Sequence, residues 1–81
     1  MNTESKDHLP FGVNPTYNYP ENEAADLIGL KPGTLQARRA RGEGPSFIKV
    51  GRLVRYPGHL LIEWLESRVV ENTQRFGRNG G

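Results

Sequence analysis

The sequence predicts a small α+β fold, mostly α: two short helices about a tight turn, then a β-hairpin, then a C-terminal helix. Three observations support this fold class. Two short helical patterns meet at Gly29, two four-residue strand patterns flank Gly51-Arg52, and an amphipathic helical pattern runs from Leu60 to Val69. At 81 residues the chain holds one small domain, with a core that depends on a few well-packed large side chains.

Residues 1–16 carry Pro10, Gly12 and Pro15 among polar residues and show no helical or strand period, so they read as a flexible N-terminal arm. Phe11, Val13 and Tyr17 could pack on the domain or on a neighbour, and the sequence does not choose between them. The domain itself is expected over residues 17–69. Its first helix starts near Pro20, because proline suits a first helical turn. Glu21, Glu23 and Asp26 then lie near the positive end of the helix dipole. Ala24, Leu27 and Ile28 form its buried stripe, Gly29 ends it, and Leu30 plugs the space before the next helix.

The second helix begins at Pro32 or Gly33 and reaches about Ala40, with Leu35 as its clearest core residue. So few apolar residues leave most of its surface to solvent or a partner. Residues 42–45 (GEGP) break it. The strands are FIKV and LVRY, joined by Gly51-Arg52 in a type II′ turn with glycine first; this register pairs Val50 with Leu53 and Phe47 with Tyr56. Leu60, Leu61, Trp64, Leu65 and Val69 form the stripe of the last helix and the expected main wall of the core, each large side chain contributing roughly 1.5–3 kcal/mol on burial. Residues 70–81 are polar and glycine-rich and read as a flexible tail.

Composition narrows the function. No cysteine is present, which removes disulfide scaffolds, zinc fingers and thiol nucleophiles, and fits a reducing compartment. His8 and His59 are far apart, so neither a metal cluster nor a catalytic base is visible, and no cofactor or small-molecule substrate is expected. No apolar run approaches the roughly 18 residues of a membrane span, and the first ten residues lack the apolar centre of a signal peptide. The expected protein is not an enzyme and is cytoplasmic.

Net charge is only +2, but it is unevenly placed. Residues 31–55 hold Lys31, Arg38, Arg39, Arg41, Lys49, Arg52 and Arg55 against Glu43 alone, an excess of +6 that would concentrate a polyanion. Residues 1–30 carry −4 and residues 56–81 carry zero. A helix can enter a DNA major groove, and a basic loop beside it can hold phosphates or probe the minor groove. The pattern therefore points to double-stranded DNA. Arg38 and Arg41, three apart, can project from nearly one face toward guanine or phosphate, and Gln36 could read adenine. Thr34, at the helix start, could cap the helix or hold a phosphate beside Gly33. Lys49 and Arg52 bracket the hairpin tip, where a basic side chain could equally guard an exposed strand edge. Arg55 could instead pair with an acid of the first or last helix. Trp64 and Tyr56 read as core.

The runs EAADLIGL, GTL and RARGEGPSFIKVGRLVRYPGHLLIEWLE resemble the MerR-like winged helix-turn-helix family of phage and mobile-element excisionases and AlpA-type regulators. The likeness covers about residues 18–67, and its weight lies in the order and spacing of the pieces together. Pro20 stands where many relatives have a Thr or Ser cap, and Gln36 and Arg38 stand where many have an aromatic pair. The resemblance implies a recognition helix carrying Thr34, Gln36, Ala37, Arg38, Arg39 and Arg41. It implies a wing carrying Lys49, Gly51 and Arg52, with Arg55 on its return strand.

It further implies an excision factor (recombination directionality factor) that binds and bends attachment-site DNA and helps an integrase assemble, in a bacterial cytoplasm at the nucleoid. A transcription regulator with the same DNA mode is the nearest rival, and a protein-binding adaptor a more distant one. A single module buries only about 600–1,000 Å² on DNA, so copies are expected to associate side by side through the arm and tail.

Overall fold

The computed structural model describes residues 9–71. Its elements are a 3₁₀ turn (Pro10–Gly12), β1 (Asn18–Pro20), α1 (Glu21–Ile28), α2 (Pro32–Arg41), β2 (Ile48–Val50), β3 (Leu53–Pro57) and α3 (Gly58–Glu66). The three strands form one antiparallel sheet in the order β1-β3-β2. This is a small winged helix-turn-helix: α1 and α2 are the helical pair, β2 and β3 the wing, and α3 closes the core.

The two glycines that end α1 and α2 act alike. Gly29 adopts φ +78°, and the amides of Gly29 and Leu30 bond back to the carbonyls of Asp26 and Ala25. Only a residue without a Cβ takes that left-handed geometry at little cost. The reversal drops Leu30 against the core, as the plug expected from its position. Gly42, at φ +71°, repeats the arrangement, with Glu43 bonding back to Arg38.

Val13, Ala24, Ala25, Leu35, Tyr56 and Leu61 are fully buried. Tyr19, Leu27, Ile28, Leu30, Val54, Ile62 and Leu65 pack around them. The core therefore lies between the helical pair, the inner face of the sheet and one side of α3.

Three expectations are corrected. Residues 9–16, assigned to a flexible arm, belong to the folded unit. Val13 is sealed in the core, the Asn14 amide donates to the Tyr19 hydroxyl at 2.9 Å, and Pro15 and Tyr17 accept the first amides of α3 from His59 and Gly58 at 3.1 and 2.8 Å. That helix has no side-chain cap, so the preceding chain satisfies its amides. Residues 1–8 of the expected arm, and residues 72–81 of the expected tail, lie outside the described residues.

Trp64, expected in the core, is only half-buried, and the Arg68 guanidinium lies over its ring at 4.3 Å. The helical stripe was correct for Leu61, but Val69 falls beyond the end of α3 and is exposed. Third, residues 18–20 form a strand that three residues of mixed character did not advertise. Tyr19 pairs with Tyr56 across it, making β3 the central strand.

Candidate nucleic-acid interface

Helix α2 turns 100° per residue, and Leu35, its buried residue, fixes which way it faces. Gly33, Ala37 and Ala40 then lie opposite the core, with Gln36 on one flank and Thr34 and Arg41 on the other; all six are exposed. Small residues along the outward ridge let the helix backbone approach a groove floor closely. A methyl such as that of Ala37 can meet the thymine methyl there, and Gln36 can reach an adenine edge.

The arginines of α2 divide by the same geometry. Arg41 is exposed and its Nε donates to Glu43 Oε1 at 2.9 Å. Arg38 is half-buried, with its Cβ near Gly44, and makes no ion pair among the described residues. Arg39 lies one turn after Leu35 and so turns inward. Its guanidinium pairs with Glu21, donates to the Tyr56 hydroxyl at 3.0 Å and lies 5.6 Å from the centroid of Phe47. The Tyr56 hydroxyl in turn donates to Glu21 Oε2 at 3.2 Å.

This cluster raises the pKa of Arg39, chiefly through the Tyr56 hydrogen bond against the opposing effect of burial. Burial pushes the Tyr56 phenol up, with Arg39 pulling the other way. Arg39 therefore serves as a brace between α1, α2 and β3, and as it sits it is not free for the DNA contact assigned to it by sequence. The inward stripe Leu35–Arg39, spaced by four, was the signal that could have shown this.

The wing follows the expected register: Val50 pairs with Leu53 and Ile48 with Arg55. Gly51 takes φ +60° and Arg52 does not share it, which suits the glycine-first two-residue turn. The ring centroids of Phe47 and Tyr56 are 6.0 Å apart, as their facing positions require. Lys49, Gly51 and Arg52 are exposed at the tip. Arg55 is half-buried and donates to the Val54 carbonyl at 2.9 Å; it does not pair with an acid of the first or last helix. Lys49, Arg52 and Arg55 make no ion pair among the described residues. The chain from Gly44 to Ile62 contains no acidic residue at all.

The structure thus holds an exposed small-residue helix face with two cationic side chains beside it, and a hairpin with a basic tip, linked through the contacts of Arg39 with Phe47 and Tyr56. A family model described as a helix-turn-helix domain matches residues 22–69, more than half of the chain. The chain belongs to the helix-turn-helix domain family. Neither a curated protein nor a solved structure matches it. The match begins in α1 and ends just past α3, so it takes in the wing as well as the helical pair. Membership points to double-stranded DNA as the partner of this helix-turn-helix domain. No helix among the described residues is long and apolar enough to cross a membrane, and no group of three possible metal ligands occurs among them.

Proposed function

We propose that this helix-turn-helix domain is a sequence-specific excision factor. It binds attachment-site DNA of a mobile element, bends it and assists an integrase, with no covalent chemistry of its own. The observation that carries the DNA reading is the exposed face of α2, free of any role in the core, together with a wing whose cations make no ion pair among the described residues. The narrower role rests on the resemblance of residues 18–67 to excisionases. In this reading α2 enters the major groove with Gln36, Ala37 and Arg41 foremost and Arg38 and Thr34 toward the phosphates, while Lys49 and Arg52 hold the neighbouring backbone or minor groove. Arg55 supports the wing, and Arg39 sets the angle between wing and helix.

One domain of this size covers a short site. Binding by copies side by side, on direct repeats spaced near one helical turn, gives the affinity that a single copy lacks. The deciding experiment is a search for an integrase gene beside this one, followed by excision in vitro with that integrase and a plasmid carrying both of its attachment sites. Excision should depend on added protein and fail with the Arg38→Ala/Arg41→Ala double variant. Binding without stimulation of excision, together with a footprint over a promoter, would replace the excision factor by a transcription regulator. An occupancy insensitive to salt would argue for a protein-binding adaptor.

A further inference from the structure

The wing carries an apolar edge that the electrostatic reading leaves unexplained. Residues paired across a sheet share a face, so Ile48, Val50, Leu53 and Arg55 lie together on the side opposite Tyr56 and Val54, which pack in the core. Val50 is 66% exposed, Leu53 50% and Ile48 44%. Val50 and Leu53 close the hairpin on either side of Gly51-Arg52, so the most exposed large apolar side chain of the described residues stands beside the exposed Arg52.

A second copy is a poor occupant of this edge. Strand β2 is an outer strand of the sheet, but antiparallel pairing of two copies about Lys49 would set ammonium against ammonium, and the acid-free stretch from Gly44 to Ile62 offers no counter-charge. A polyanion with an apolar interior surface suits it better. The duplex minor groove is such a surface, with phosphates at its rims and sugar and base edges inside.

We propose that Val50 and Leu53 form an apolar wedge that the wing presses into the minor groove, with Arg52 beside it drawn by the groove's negative potential. Resting on the DNA reading given above, this names the residues that bend the duplex. Apolar side chains forced between minor-groove walls partly unstack a base step and open the groove, kinking the duplex toward the major groove, where α2 lies. Steps that unstack easily, such as TA and CA, are then favoured under the wing at positions that no side chain reads directly.

The test uses a duplex of about three helical turns, recovered by the wild-type chain from a random-sequence pool and labelled at its ends with a donor and an acceptor dye. Wild type is compared with the Val50→Thr/Leu53→Thr double variant, which keeps strand-forming side chains and is checked for native circular dichroism. The variant should raise Kd roughly tenfold and reduce the bend read by energy transfer, while leaving the salt slope unchanged because no charge is lost. A minor-groove ligand such as distamycin should compete with wild type more than with the variant.

A variant that equals wild type in Kd and bend overturns the wedge. So does a variant that binds and bends a single-site duplex normally and loses only cooperativity on two sites, since that assigns the edge to a neighbouring copy. Failure of wild type to recover any duplex overturns the DNA reading itself, a result separable from the other two.

Discussion

Arg39 donates to the Tyr56 hydroxyl at 3.0 Å, tying the inner face of α2 to the central strand of the sheet. Glu21 at the start of α1 completes the cluster, so one arginine joins all three parts that must be oriented together for groove binding. The side chains of Arg39 and Glu21 are 20% and 19% exposed, between a surface pair and a buried one. Arg39→Ala should lower stability by about 1–3 kcal/mol in denaturant unfolding. At a temperature where the variant is folded, its DNA affinity should fall less than that of Arg41→Ala. An Arg39→Ala variant with wild-type stability and a large loss of binding would make Arg39 a contact after all.

The Tyr56 phenol gives this cluster a pH signature. Its folded-state pKa is raised, first by burial, above an unfolded value of about 10. The stabilisation is therefore complete below pH about 10 and declines as pH climbs toward the folded value, because the unfolded chain releases its proton first. Thermal melts should show wild type losing stability above that pH more steeply than Tyr56→Phe. Parallel alkaline curves for the two proteins would place the effect elsewhere.

Salt dependence should count the cations. With Arg39 a brace and Arg55 supporting the wing, Arg38, Arg41, Lys49 and Arg52 remain, and a slope of log K against log salt of about −3.6 is expected. Arg52→Ala and Lys49→Ala should each reduce its magnitude by about 0.9. Glu43→Gln should do the opposite of a damaging mutation. It frees Arg41 from its exposed pair and should tighten binding by about two- to fivefold at low salt, an effect that fades as salt screens the charges. Fluorescence anisotropy across a salt series reads all three.

Much of this fold was legible in the sequence, for reasons that can be stated residue by residue. Gly29, Leu35, the Val50–Leu53 register and Leu61 followed from chain geometry and apolar spacing, which are local properties. The inward turn of Arg39 was open to its spacing from Leu35, but its partners, like the surroundings that leave Trp64 half-buried, are tertiary. An arginine at an inward position needs Glu21 and Tyr56 brought from 18 and 17 residues away to be satisfied, and nothing local announces that they arrive. Trp64 shares its helix with Leu61, but the core is small enough to be filled by Leu61, Tyr56 and Val13, leaving the indole at the rim. Strand β1 was missed because its partner is β3, whose own hairpin explained it completely from sequence.

The segment before β1 should prove indispensable. Val13→Ala removes two methyl groups from a sealed position and should cost about 1–3 kcal/mol. Gly58→Ala should be worse. A Cβ there would overlap the Asn14 carbonyl oxygen and lie 2.8 Å from its carbon and 2.9 Å from Pro15 Cα, all backbone atoms that cannot swing aside. Chemical denaturation would rank the two, and a Gly58→Ala protein as stable as wild type would contradict the close packing of this segment on α3.

Trp64 offers an optical check, since the chain has one tryptophan. It lines a shallow surface cavity with Gly44, Ser46, Leu60, Glu63 and Ser67, and Arg68 covers one ring face. Its emission should be quenched readily by acrylamide in the native state, and Arg68→Ala should increase that quenching. Blue-shifted emission protected from quencher would restore the indole to the interior.

The outward ridge of α2 has a practical consequence. Gly33, Gln36, Ala37 and Ala40 hold nothing closed: none is buried, and no side-chain hydrogen bond or ion pair of theirs joins another element among the described residues. These four positions can be randomised as a set while the scaffold stays untouched, so a library varied there alone reports directly on what the ridge recognises.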